Sequence, residues 1–173
     1  MDIYLTIEEK YLQAVDKLDY GYNKKTMRLL NEIIAAEPLY ARAHYQLGKL
    51  YYYEIKDYQA AGYHFKTCAE LEPSFPDVYG DYLHLLVFLD MGKQVQLVKE
   101  KALNVAGVEA AYIHYLSGLH AEKKAEWDAA IAAYNEAFMQ ATSKYEKDTA
   151  EESIERVKAK KSRARKFNYE LSN

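Results

Sequence analysis

One interval constrains this chain more than any other feature. Pro38 and Pro73 lie 35 residues apart, and Gly107 and Thr142 follow at further steps of 34 and 35. Between these markers one pattern returns: an amphipathic first helix, a turn, a second helix with small or apolar residues at i, i+4 and i+7, then a breaker. Thr26, Leu30 and Ile33 set that second-helix spacing, and Ala61, Phe65 and Cys68 repeat it. Ala130, Tyr134 and Ala137 repeat it again, while Val95 and Ala102 keep its outer positions. Unrelated helical hairpins have no reason to keep a common interval. The pattern predicts an all-α chain of antiparallel helix pairs, each burying its apolar face against the next.

The unit spanning 41–75 is the most complete. On its first helix Leu47, Gly48 and Tyr51 face inward, the glycine leaving room for a neighbouring helix. It holds one extra residue near its turn, around Glu54 to Asp57. The unit 111–144 matches with Gly118 as the close-packing glycine, but has Ser117 for the leucine, Ala121 for the tyrosine and Thr142 for the closing proline. In the unit 7–40, Gly21 makes the turn, and the first-helix face, Tyr11, Ala14, Val15 and Leu18, is one residue out of register. Thr6 and Glu9 have the spacing of a capping box. The unit 76–110 is degenerate. Tyr79, Tyr82, Leu83 and Leu86 keep the first-helix pattern, yet Leu83 stands where a glycine belongs and predicts looser or reoriented packing.

His44, Leu47-Gly48, Tyr51, Ala61, Phe65 and Pro73 resemble the tetratricopeptide repeat (TPR), whose motif is W-x2-L-G-x2-Y, A-x3-F and P. The resemblance implies one domain over 1–173: four repeats and a capping helix over 145–168, wound as a right-handed superhelical solenoid. Tyr145, Ala150, Ile154, Val157 and Ala164 lie near one stripe of that last helix, toward the final repeat.

Composition narrows the rest. Half of the 173 residues are apolar, 28% are charged and the net charge is −3, so nothing draws the whole chain toward nucleic acid or anionic lipid. Cys68 alone excludes an internal disulfide and fits a reducing compartment. The N-terminal residues lack a basic stretch followed by an apolar one, and the most apolar run, Tyr82 to Met91, is too short to span a bilayer. The expectation is a cytoplasmic protein without membrane contact.

Chemistry finds no foothold. His44 and His114 share one repeat position, where the family packs a tryptophan, and His64 and His84 are read onto other faces. His114 and His120, six apart, fall on opposite sides of a helix. No metal-ligand spacing, P-loop or nucleophile elbow occurs, so no metal, cofactor or catalysis is expected. Cys68 sits at a helix-packing position and reads as a buried structural thiol. Seven positive charges lie between Arg156 and Lys166. They read first as a solvated helix end balanced by the acidic half before it, and second as a nucleic-acid contact.

The resemblance implies that first helices line a concave groove where a partner lies. By register the groove takes Leu12, Asp16 and Asp19 from the first unit, and Arg42, Tyr45, Lys49 and Tyr52 from the second. The third supplies Gly80, His84 and Val87, and the fourth Tyr112, Tyr115 and Leu119. Tyrosine is abundant, at 18 residues, and gives large contact area with a hydroxyl to bond a backbone. The expected function is non-enzymatic binding of a peptide or protein, as adaptor or assembly scaffold. Two alternatives stay open: a small TPR secretion-type chaperone, and a nucleic-acid-associated regulator using the basic helix. Lys49 and Arg42 are too few cations for a clamp on acidic C-terminal peptides. The groove reading predicts that Tyr45→Ala with Tyr52→Ala weakens binding without loss of fold.

Overall fold

The computed structural model describes residues 5–18 and 24–171, with side chains described up to 16 in the first segment and up to 164 in the second. The elements are α1 (Ile7–Leu18), α2 (Lys24–Ala36), α3 (Ala41–Lys49, continuing as a π-helix through Leu50–Ile55), α4 (Tyr58–Leu71) and α5 (Asp77–Phe88). α6 (Gly92–Leu103), α7 (Ala110–Lys123), α8 (Trp127–Gln140) and α9 (Lys144–Leu171) complete them. No strand occurs among the described residues. α1 pairs with α2, α3 with α4 and α7 with α8, as the interval predicts, and α9 packs on α8 after the last repeat. Gly21 and Asp19 lie outside the described residues, as do the side chains of Leu18, Arg165 and Lys166.

Two compact units divide the chain, Met1–Leu85 and Leu86–Asn173. The division falls inside α5, in the repeat where Leu83 replaces the packing glycine. In the first unit Ala14, Leu30, Ile33, Ala43, Leu47 and Leu50 form the core, with Tyr11 and Tyr51 packed against it. In the second, Ala121, Ala130, Tyr134, Ile154 and Val157 form a core that joins α7, α8 and α9. The i, i+4, i+7 positions are buried in α2, α4 and α8, while α6 buries Val95 and Ala102 but has the half-buried Lys99 at i+4, with Val98 buried beside it.

The turns within repeats show the same period in the backbone. Lys56, Asp90 and Ala125 all adopt positive φ, at 66°, 55° and 58°. At Ala125 the helix ends in a Schellman motif: Glu126 N–H reaches the Ala121 carbonyl at 3.0 Å and Ala125 N–H the Glu122 carbonyl at 3.0 Å. At Asp90 the equivalent bonds run from Met91 to Leu86 (2.9 Å) and from Asp90 to Val87 (3.3 Å). In the second repeat Asp57 N–H must reach back to Tyr51, at 3.0 Å, one residue farther. The extra residue of that repeat is therefore absorbed as the wide π turn Leu50–Ile55 rather than as a longer loop.

Side chains cap the helices that the interval alone does not start. Thr6 and Glu9 form the capping box, Glu9 N–H to Thr6 Oγ1 at 3.2 Å and Thr6 N–H to Glu9 Oε2 at 2.7 Å. Ser143 and Glu146 form a second box at α9, with bonds of 3.2 and 2.9 Å. Asp57 Oδ1 caps α4 by accepting from Ala60 N–H at 3.0 Å. On α9, Ala150, Ser153, Ile154 and Val157 are buried, but Tyr145 is 79% exposed. That corrects the expected stripe: five residues advance a helix by about 500°, which turns Tyr145 well away from Ala150.

Candidate functional site

The first unit gathers its polar groups around Asp81 on α5. Tyr45 Oη donates to Asp81 Oδ2 at 2.9 Å, and Tyr53 Oη donates to Oδ1 at 2.6 Å. The π turn lets Tyr53, eight residues after Tyr45, reach the same carboxylate. Tyr52 Oη lies 3.2 Å from His84 Nδ1, with the two rings edge to face. Tyr45 and Tyr52 are only 8% and 6% exposed. Their rings pack against Phe65, and Tyr45 also meets Phe75. Burial, then the charge of Asp81, pushes the Tyr45 phenol well above its ordinary range.

This changes what the second repeat presents. The rings of Tyr45 and Tyr52 belong to the interior, because their stripe is covered by α5 of the next repeat. Exposed here are Tyr53 and Arg42, with Asp81, His84 and Lys49 half-buried. Lys49 Nζ lies 5.4 Å from the Tyr45 ring centre. Arg42 lies 5.5 Å over Phe75 and 3.5 Å from Glu72. Of the first-repeat residues, Leu12 and Asp16 are exposed; of the third, Gly80 is half-buried, while Val87 is 1% exposed and so is core.

The sequence places His44 and His64 on different faces, but in the structure they meet within one repeat. Their Nδ1 atoms are 3.0 Å apart, and His44 Nε2 lies 3.1 Å from the Pro38 carbonyl. A carbonyl only accepts, so His44 carries its proton on Nε2 and its Nδ1 accepts from His64 Nδ1–H. Tyr51 stacks on His64 at 5.4 Å and 6°. Burial, reinforced by His44, pushes His64 down to about 4. Cys68 is buried, and burial pushes its thiol up to about 12. Among the described residues no three His, Cys, Asp or Glu are placed to share a metal ion.

In the second unit Tyr112 and Tyr115 of α7 wall a pocket of about 410 Å³, floored by Ala111, Ala137 and Ala150. Glu109, Ser143, Tyr145 and Glu146 form its rim. Leu119, one turn farther along α7, is half-buried and does not line it. Deeper in this unit Glu122, 8% exposed, accepts from Arg156 Nε and Nη2 at 2.9 and 2.8 Å. Lys160 Nζ and Tyr134 Oη also donate to it, each at 2.8 Å. The Arg156 guanidinium holds Glu122 down, at about 2, with Lys160 and Tyr134 adding to it. Lys161 pairs with Asp128. The basic half of α9 is thus balanced in part by α7 and α8, a pairing that the charge run alone did not reveal.

No family model and no curated relative matches the sequence. Solved structures do match. MamA from Desulfovibrio magneticus RS-1, from residue 41 to its end, superposes with a TM-score of 0.66 at 20% identity, over 88% of this chain and 93% of that one. A double mutant of the same protein gives 0.66 at 20% identity, over 91% and 96%. PilW, a widely conserved type IV pilus biogenesis factor, gives 0.66 at 15% identity, over 87% and 77%. MamA and PilW are built of tetratricopeptide repeats. The fold of this chain is the TPR fold. Within it Gly48 packs against Phe65 and Gly118 against Tyr134, at equivalent positions of two repeats. No described helix of this TPR chain is long and apolar enough to cross a membrane.

Proposed function

We propose that the chain is a non-enzymatic binding module that holds a partner peptide or protein on the first helices of its repeats, as adaptor or assembly scaffold. The observation that carries this reading is the pocket walled by Tyr112 and Tyr115. It is an open concavity of about 410 Å³ between the first helix α7 and the helices α8 and α9, within the size range of ligand pockets. Arg42, Lys49 and Tyr53 offer polar and aromatic contact on the second repeat, with the buried Tyr45 and Tyr52 fixing Asp81 and His84 behind them. The TPR architecture supports the reading because such repeats present extended surfaces rather than enclosed reaction sites.

The test is capture from native-cell extract after cross-linking, comparing wild type with Lys49→Ala/Tyr112→Ala/Leu119→Ala. The expected result is a stoichiometric partner on the wild type, lost from the variant at unchanged helical content and melting. Equal retention by a folded variant would overturn the reading.

A further inference from the structure

We infer that the pocket beside α7 receives a basic side chain, an arginine presented by a partner polypeptide. This rests on the protein-binding reading above and names the chemistry of the anchor. Three features converge. The walls are aromatic, with Tyr112 and Tyr115 on α7 and the 79% exposed ring of Tyr145 at the mouth. The acidic groups at the rim are two carboxylates, Glu109 and Glu146, and no lysine, arginine or histidine lines the cavity. Among the described residues neither carboxylate has a salt-bridge partner, in a unit where Glu122 and Asp128 do.

Glu146 stays ionised in place. Its Oε2 takes bonds from the Thr142 and Ser143 backbone at 2.9 Å each, and from the Ser143 hydroxyl at 2.9 Å. That carboxylate is therefore held at the rim by the cap of α9 rather than free to swing away. A guanidinium suits such a site better than an ammonium. It stacks flat on a tyrosine face while its N–H groups point to carboxylates, and it loses little hydration in doing so. An apolar anchor gains from the walls and nothing from the rim. An acidic anchor is repelled by both carboxylates.

The experiment uses the full chain, isotope-labelled, titrated with three probes: acetyl-Ala-Arg-Ala-amide and its Leu and Glu counterparts. Amide shifts around Tyr112, Tyr115, Ser143 and Tyr145 report the pocket. The expected result is saturable binding of the arginine probe alone, weakened roughly fivefold in Glu109→Gln, where about 1 kcal/mol of charge attraction is lost. Tyr145→Ala, a substitution at an exposed ring, weakens it as well without altering the spectrum elsewhere. Leucine binding as tightly as arginine overturns the inference while leaving the protein-binding reading intact. No pocket shifts with arginine, or an undiminished affinity in Glu109→Gln, also overturns it. The capture experiment above does not depend on the identity of the anchor, so the two can fail separately.

Discussion

Gly48 lies so close to Phe65 that a Cβ on it would stand 2.6 Å from the ring Cδ1, and Gly118 repeats the relationship with Tyr134 at 2.7 Å. Both rings are fully buried, so neither can move aside cheaply. Gly48→Ala and Gly118→Ala should each destabilise the fold by about 1–2 kcal/mol, the overpacking cost exceeding the gain of up to ~1 kcal/mol from alanine's helix propensity. Gly62 is the control. Its Cβ would meet Leu85 at an ordinary 3.7 Å, so Gly62→Ala should be neutral or stabilising. Urea unfolding of the three variants decides it, and a stable Gly48→Ala would mean the close approach is slack.

The interval made the backbone legible, and it did so through small positions. Gly48 and Gly118 meet the rings of Phe65 and Tyr134, Ala61 and Ala130 are fully buried, and the small volume at those sites is written directly in the residue type. Polar partnerships were not legible, because they join residues about one repeat apart across faces whose rotation the period does not specify. Tyr45 bonds Asp81 at a separation of 36, Arg156 bonds Glu122 at 34 and Tyr52 meets His84 at 32. The burial of the Tyr45 and Tyr52 rings escaped for the same reason: their stripe is covered by α5, an element outside their own repeat. The extra residue near Glu54 is visible as a length, but its conversion into a π turn follows from the left-handed cap recurring at Lys56, Asp90 and Ala125. Glu122 reads as a surface charge in sequence, and only the return of α9 over α7 encloses it.

Ala125 holds a left-handed conformation that costs an L-residue about 1–2 kcal/mol. Glycine removes that strain but adds backbone freedom to the unfolded chain, which returns roughly 0.5–1 kcal/mol. Ala125→Gly should therefore raise stability by about 0.5–1 kcal/mol. A melting temperature equal to or below that of the parent would show that the Schellman turn has another support.

Arg156 anchors α9 through the nearly buried Glu122. Replacing it leaves a carboxylate partly enclosed with Lys160 and Tyr134 alone, so Arg156→Met should cost about 2 kcal/mol. The variant Glu122→Met/Arg156→Met, which leaves no buried charge, should recover most of that loss. The carboxyl is held at about 2, below its ordinary value, so its contribution is full above pH 4.5 and disappears as pH falls toward 2. Acid unfolding of the double variant should lack that component; identical acid profiles would assign the stabilisation elsewhere.

His64 works with the opposite charge and the same direction of pH. Its folded value of about 4 lies below the unfolded 6.5, so between those limits the unfolded chain binds more protons. Stability should then rise with pH from 4 to 6.5 and level off above. Partial exposure screens the effect, leaving roughly 1 kcal/mol from this group. His64→Gln keeps an N–H for His44 and cannot titrate. The difference in melting temperature between pH 7 and pH 5 should be smaller in His64→Gln than in the parent by about 2–4 °C. An equal difference would remove His64 as the source.

Tyr45 and Tyr52 decide how the first unit's binding face must be probed. Both rings are more than nine-tenths buried against Phe65, and their hydroxyls hold Asp81 and His84. Truncating one leaves a cavity, so Tyr45→Ala and Tyr52→Ala should each cost about 3 kcal/mol or more, and together they should unfold the first unit. Tyr45→Phe removes only the bond to Asp81. It should cost about 1 kcal/mol and leave Asp81 to Tyr53. Chemical denaturation with a probe in each unit would separate these outcomes. If the double alanine variant keeps the parental stability, the rings contribute no packing, and the surface reading of this stripe returns.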